Sequence, residues 1–334
     1  QLRHLIESAE HISQLGYDEG QDIDNIFESA EKAILGIISF SKRSFTTLKD
    51  SLAEAWERFE RLHKSTDIIR GVPTGFKQLD DKLAGFQKSD LIILAARPSM
   101  GKTSLALDIA RHVAKQQTPV CVFSLEMSSQ QLVDRLIAAE SHVDSWKLRT
   151  GRLSMDDEFS RIRDALDALS KAPLFIDDDA SNNITKMKSV ARRLKAEHNL
   201  GLIVVDYLQL MIPRRDSDSL VQQVTEISRS LKGLARELDI PVLALSQLNR
   251  AVEQRGGRPR LSDLRDSGSI EQDADVVMFI HRPDKYDEAS DKKNIAEIMI
   301  EKHRNGPTGS IELYFDEQRV SFTNVEKSDF GAFT

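Results

Sequence analysis

The segment Ala96-Arg97-Pro98-Ser99-Met100-Gly101-Lys102-Thr103 follows an apolar run at 91–95 and leads at once into a helical pattern. Strand, glycine-containing turn, Lys-Thr and helix, in that order, are the context in which a chain cradles phosphate. Consecutive backbone N–H groups face the phosphate oxygens, and the start of the helix adds positive potential. Lys102 would reach the β- and γ-phosphates of a nucleoside triphosphate, and the Thr103 hydroxyl would ligate Mg2+. The expected binding set is Ser99, Met100, Gly101, Lys102, Thr103 and Ser104, with ATP and Mg2+ as ligands. The strict motif begins on Gly, and Ala96 stands in that place. Ala carries the smallest side chain with a Cβ, so the tight turn is retained. A bare Gly-Lys-Thr at a helix start would carry little weight; the flanking strand and helix carry the reading.

A magnesium shell needs a carboxylate, and Leu202-Ile203-Val204-Val205-Asp206 ends an apolar run on one. Asp206 is therefore assigned to the metal with Thr103. Hydrolysis also needs a group that polarises water. Phe123-Ser124-Leu125-Glu126 places Glu126 just after the second strand, expected next to the first in this class of fold, where it could act as general base. Gln247, after the run 242–246, could sense the γ-phosphate through its amide. Alone, a Glu or a Gln after a strand is an ordinary helix-start or surface residue. Lys302 and Arg304, in Glu301-Lys302-His303-Arg304-Asn305-Gly306, end another strand. Two cations before a turn are usually solvated. In a ring-shaped ATPase they become candidates for an arginine finger reaching the next subunit's nucleotide, a device worth roughly 10³–10⁵ in rate.

Arg250, Arg255, Arg258, Arg260 and Arg265 crowd one stretch with Gly256 and Gly257, opposed by Glu253 and Asp263 alone. The plain reading is a solvated surface loop. The functional reading is salt-dependent binding to a phosphate backbone. The stretch has no Phe, Tyr or Trp to stack on bases, so contact through Arg and main-chain N–H groups, with little sequence preference, is what it could offer. Arg214 and Arg215, beyond Asp206, could face the same channel.

These groups must be positioned by a fold of adequate size. The chain has 334 residues, of which 40% are hydrophobic, enough to bury a substantial core. Its net charge of −7 argues mildly against a general nucleic-acid coat but leaves room for a local basic track. Cys121 is the single cysteine, which excludes a disulfide framework or a Cys-based zinc site. Set in Val120-Cys121-Val122-Phe123, it reads as a buried thiol. The eight His show no pair at metal-ligand spacing. No apolar run approaches a membrane span and no secretory pattern opens the chain, so no membrane association and a reducing, cytoplasmic setting are expected.

From Gly71 onward, short apolar runs alternate with amphipathic stretches, the pattern of a mainly parallel sheet flanked by helices. Strands are expected at 91–95, 120–124, 174–176, 202–206, 242–246, 275–280, 295–302, 311–315 and 320–323. Helices are expected at 102–116, 128–140, 156–170, 184–198 and 219–238. Ahead of this α/β region, apolar positions at helical spacing mark a helix over 2–15. A second runs from Asp22, its N-cap, through Ile38. This helical hairpin is too small for a core of its own. Leu48, Leu52, Trp56 and Phe59 form an i, i+4 stripe on a third helix, either packed on its own domain or docked on a neighbouring subunit. The expected organisation is a helical hairpin over 1–42, a linker with its helix over 43–70, an ATPase domain over 71–326 and a tail over 327–334. A chain that opens on Gln1 within a helical pattern reads as a fragment.

Taken together, these residues resemble the DnaB-type replicative helicases of bacteria and their phages. The resemblance is carried by Gly71-Val72-Pro73-Thr74-Gly75-Phe76, the phosphate loop, Ser124-Leu125-Glu126-Met127, Val205-Asp206-Tyr207-Leu208-Gln209 and Ala244-Leu245-Ser246-Gln247-Leu248. It continues through the long run from Leu261 to Asp275 and through Glu301-Lys302-His303-Arg304-Asn305-Gly306-Pro307, covering about 71–325 in order. The resemblance implies a RecA-like P-loop ATPase core, a homohexameric ring and 5′-to-3′ unwinding, with single-stranded DNA, a primase and a helicase loader as partners. By motif position, Glu126 matches the catalytic glutamate, Asp206 the metal-shell acid and Gln247 the sensor. Lys302 and Arg304 match groups supplied across the subunit interface. Arg265, Asp266 and Gly268 match a loop that contacts single-stranded DNA, with Asp266 where the family often has Glu. Arg135 is assigned to the nucleotide site. Residues 1–65 match the end of the family's N-terminal domain and its linker helix, which docks on the adjacent subunit. The rival reading is a RecA-like ATPase that remodels recombination or protein complexes without unwinding; it shares the loop, Glu126 and Asp206 but has no need of the arginine track. Which loader and primase, and whether the source is a bacterium, a phage or a plasmid, the residues leave open.

Overall fold

The computed structural model describes residues 2–17, 25–27, 29–30, 33, 48–49, 52, 55–57, 59–60, 69–154, 157–179, 183–208, 220–249, 257–286 and 292–325. The chain divides into two compact units, Gln1–Asp67 and Ile68–Thr334. In the first, α1 spans Leu2–Leu15, and the described residues of 25–33 and 48–60 are helical. Asp22 and residues 34–47, with the end of the expected second helix and the start of the linker, lie outside the described residues. Leu48, Leu52, Trp56 and Phe59 are all exposed in the single chain.

Among the described residues, the second unit is built on a nine-stranded sheet with order β3-β2-β4-β5-β1-β6-β7-β8-β9. The strands are β1 Leu91–Ala96, β2 Val120–Ser124, β3 Leu174–Asp177, β4 Leu202–Asp206 and β5 Val242–Gln247, followed by β6 Val276–His281, β7 Ile295–His303, β8 Gly309–Asp316 and β9 Ser321–Asn324. From β3 to β6 all pairings are parallel; from β6 to β9 they are antiparallel. The change of direction follows the connections. Parallel neighbours need crossovers, and these carry helices, whereas short turns suffice after β7 and β8.

The helices of this unit are α2 Lys77–Leu83, α3 Lys102–Lys115, α4 Ser129–Ser141, α5 Ser145–Thr150 and α6 Asp157–Ser170, then α7 Ile184–His198, α8 Leu220–Leu238 and α9 Gly268–Asp273. They cover both faces, so central strands are apolar throughout and alternate residues enter different cores. Ile92, Leu94 and Ala96 join the core built with α3; Leu91, Ile93 and Ala95 join the one built with α7 and α8. Cys121 is buried in the second core, as its apolar context predicts, and burial pushes its thiol up to about 12.

The strands and long helices fall within about two residues of their expected bounds. Short elements escaped the periodicity: α2, α5 and α9 each make fewer than two turns. One adjacency is corrected. The second strand is not beside the first, because β4 and β5 are inserted between β2 and β1. The end of the basic stretch is corrected as well. Residues Leu261–Ser267 form a 3₁₀ helix that runs into α9, so Arg265, Asp266 and Gly268 lie on helical backbone and not in an open loop. The Asp263 carboxylate accepts the Arg260 N–H at 2.7 Å and anchors the start of this helix, while Leu264 and Ile270 enter the core.

Candidate nucleotide site

The phosphate loop connects the C-terminal end of β1 to the N-terminus of α3. Two residues turn the chain with left-handed backbone: Ser99 at φ 66° and Gly101 at φ 95°. Gly101 is required twice over, since a Cβ there would also lie 2.8 Å from Cζ of Phe322 and 3.1 Å from Cε2 of Phe315. The buried Arg97 fixes the loop's other side by donating to the Leu248 carbonyl at 2.8 Å, just past β5.

Adjacent strands bring the acid to the loop. β1 pairs with β5 and β5 with β4, so Ala96, Gln247 and Asp206 end neighbouring strands on one edge. The Thr103 hydroxyl donates to Oδ2 of Asp206 at 2.7 Å. Nζ of Lys102 lies 3.7 Å from Oδ1 of Asp206 and 4.2 Å from the centre of the Tyr207 ring. Burial pushes the Lys102 ammonium below its usual range, opposed by the charges of Asp206 and Glu126. Oδ1 of Asp206 is buried with no hydrogen-bond partner. A buried carboxylate oxygen left open beside a threonine hydroxyl suits the water shell of a magnesium ion, so the donor set fits that metal.

Glu126 arrives from a different direction. Ser124 ends β2 opposite Asp206, and its hydroxyl donates to the Met127 carbonyl at 2.6 Å, which turns the chain so that Glu126 lines the loop's cavity. The cavity encloses about 330 Å³. It gathers Ser99, Gly101, Lys102, Thr103, Ser104, Glu126, Arg135 and Gln247, all anticipated from the sequence. Met100, within the loop, is buried and joins the core built with α3. Arg135, on α4, is held below its usual range by burial, with the negative charges of Asp206 and Glu126 opposing. The cavity also takes in Arg97, Met127, Phe315 and Val320, which the sequence reading missed. Arg97 and Met127 adjoin the motifs; Phe315 and Val320 come from the β8–β9 hairpin and carry no chemical signature.

Lys302 and Arg304 stand elsewhere. β7 runs antiparallel to β6, with Lys302 opposite Val277 and His303 opposite Val276. Val276 begins β6 and pairs with Ile92 near the start of β1. Both cations are therefore at the opposite edge of the sheet from this chain's own phosphate loop. In the basic stretch, Arg258 donates to Oε1 of Glu297 at 2.6 Å and Arg260 is exposed. Arg214, Arg215 and Arg255, and the side chains of Arg265 and Asp266, lie outside what the structure describes. Among the described residues no group of three or more His, Cys, Asp or Glu could hold a metal, and no helix is long and apolar enough to cross a membrane.

A strand–loop–helix phosphate cradle, an acid at the same sheet edge bonded to the loop's threonine and a Glu in the cavity define a P-loop ATPase. Residues 71–324 match the model of the DnaB-like helicase C-terminal domain. The chain is 48% identical over 331 residues to the replicative DNA helicase DnaB of Geobacillus stearothermophilus, covering 98% of this chain and 72% of that protein. It is 46% identical to the replicative DNA helicase DnaC of Bacillus subtilis over 98% of this chain and 72% of that one. A solved structure of a DnaB-like replicative helicase, described with its interactions with primase, superposes with a TM-score of 0.86 at 34% identity, over 98% of this chain and 76% of that one. This chain belongs to the DnaB-like family of replicative DNA helicases.

Proposed function

We propose that this chain is the ATP-hydrolysing motor of a replicative DNA helicase, coupling hydrolysis to 5′-to-3′ movement along single-stranded DNA and to opening of the duplex. The observation that carries the reading is the division of the catalytic set. One cavity gathers Lys102, Thr103, Glu126 and Gln247, with Asp206 bonded to Thr103, while Lys302 and Arg304 lie at the far edge of the sheet.

Within the cavity the loop N–H groups and Lys102 hold the triphosphate, and the lowered pKa of Lys102 reflects a buried cation that phosphate would compensate. Thr103 and Asp206 would hold Mg2+, which when bound neutralises charge on the phosphates. Glu126 takes the proton from the attacking water as general base, and Gln247 contacts the γ-phosphate and reports its loss. Arg135 and Ser104 complete the nucleotide contacts. Arg304 and Lys302 act on the nucleotide of an adjacent subunit, which requires a ring; a homohexamer supplies it. The linker helix with Leu48, Leu52, Trp56 and Phe59 docks on a neighbour in that ring. Arg214, Arg215, Arg255, Arg258, Arg260 and Arg265, with the backbone at Asp266 and Gly268, follow the DNA strand through its phosphates. A primase and a helicase loader are the expected protein partners, in a cytoplasmic setting.

The test is ATP turnover with and without single-stranded DNA. Turnover is expected to rise on adding DNA and to lose that rise at high salt. Turnover indifferent to DNA would favour a RecA-like ATPase that remodels complexes without unwinding.

A further inference from the structure

Arg304 and Lys302 do not extend freely from the end of β7. The Arg304 backbone N–H donates to the Asp275 carbonyl at 2.9 Å, and its guanidinium lies 3.4 Å from Oδ1 of the same residue. That guanidinium also donates to the Gln272 carbonyl, and Nζ of Lys302 donates to the Glu271 carbonyl. Both carbonyls belong to the last turn of α9, where unpaired C=O groups and the negative end of the helix attract cations. Asp275 is buried and fixed from behind. Its Oδ2 accepts the Leu91 N–H at 2.8 Å and Nζ of Lys232 at 2.5 Å. A carboxylate so restrained offers Oδ1 in one place, and a guanidinium held there keeps a defined direction at little further entropic cost.

We propose that Asp275 is a positioning residue for Arg304. Together with the C-terminal carbonyls of α9, it holds Arg304 and Lys302 as one pre-aligned pair for the neighbouring subunit's nucleotide. The proposal rests on the inter-subunit role of Arg304 given above. It adds that the pair is set by α9, the helix that begins at Gly268, so the cations and the segment bearing Arg265 and Asp266 are mechanically continuous.

Asp275→Asn tests it. An amide can keep its oxygen toward Leu91 while presenting NH2 to Arg304, which repels the guanidinium. The expected result is a kcat at least tenfold lower with the KM for ATP unchanged, because a finger acts chiefly in the transition state. The defect should also fall on the neighbour's site. Rings of Asp275→Asn subunits and rings of Glu126→Gln subunits should each be impaired. Rings mixed one to one should recover about a quarter of wild-type turnover, the share of interfaces that pair an intact pocket with an intact finger if sites are independent. A merely structural defect shows no such recovery. Asp275→Glu keeps the charge but moves it by one methylene; it is expected to behave the same way and serves if the Asn variant does not assemble. Wild-type kcat in Asp275→Asn rings would overturn the proposal, as would absent recovery while Arg304→Ala and Glu126→Gln mixtures recover. If the Arg304→Ala mixtures also fail to recover, it is the inter-subunit role of Arg304 that falls.

Discussion

Asp90 is a carboxylate buried at the start of β1, close to a second buried carboxylate, Asp275. Burial first, and the Asp275 charge second, push its pKa up to about 6, against the pull of Lys232 and Arg304. The folded state thus favours the protonated form. The stability this gives is fully present below the ordinary aspartate range near 3.8 and is lost as pH rises through about 6. Asn at position 90 has no such dependence. Relative to wild type, Asp90→Asn should therefore gain about 1–3 kcal/mol of unfolding free energy between pH 4 and pH 7.5. Denaturant unfolding at both pH values measures this; an equal difference at the two would show that Asp90 is ionised without penalty. The residues proposed for catalysis, by contrast, were legible in the sequence because their chemistry is local. Lys102, Thr103, Asp206 and Glu126 each follow a strand or open a helix, and each is found at one cavity or one hydrogen bond from it.

At the scale of elements, the phosphate loop is shaped partly by a hairpin far from it in sequence. Asp108 of α3 accepts the Phe322 N–H at 2.7 Å and the Ser321 hydroxyl at 2.9 Å, which ties β9 to the helix that follows the loop. Phe322 and Phe315, rings 4.7 Å apart, then close over Gly101. Gly101→Ala would both place an L side chain at φ 95° and press it on Phe322. The first effect alone costs roughly 1–2 kcal/mol. Nucleotide binding, followed by titration with a fluorescent ATP analogue, should weaken at least tenfold; unchanged affinity would mean that the loop adapts without its glycine. The strands around this loop were readable because a sheet buried on both faces demands continuous apolar runs. The hairpin's role was not, since β8 alternates like any half-exposed strand, β9 is only four residues long, and nothing local shows which loop they cover. The short helices α5 and α9 were missed for want of length, and α9 matters because its last carbonyls hold Arg304.

At the scale of the molecule, strand order could not be read from local pattern. Which strand neighbours which depends on where each crossover lands, and insertion of β4 and β5 between β2 and β1 separates elements consecutive among the strands. That order places Gln247 on β5, next to β1, and Asp206 on β4, one strand further out, with Glu126 reached from β2 beyond them. It also puts β7 on the far side of β6, with Arg304 at the edge away from its own cavity. Under the proposed function, one chain carries two halves of a site without joining them, and assembly into a ring would join them. The most direct test of this account is opening of a forked DNA duplex by the assembled protein with ATP, for wild type beside Lys102→Ala. The wild type should separate the strands only while ATP is hydrolysed, entering from the 5′ tail, and Lys102→Ala should open nothing. Active ATP turnover with the fork left closed, or a Lys102→Ala protein that still opens it, would contradict the account.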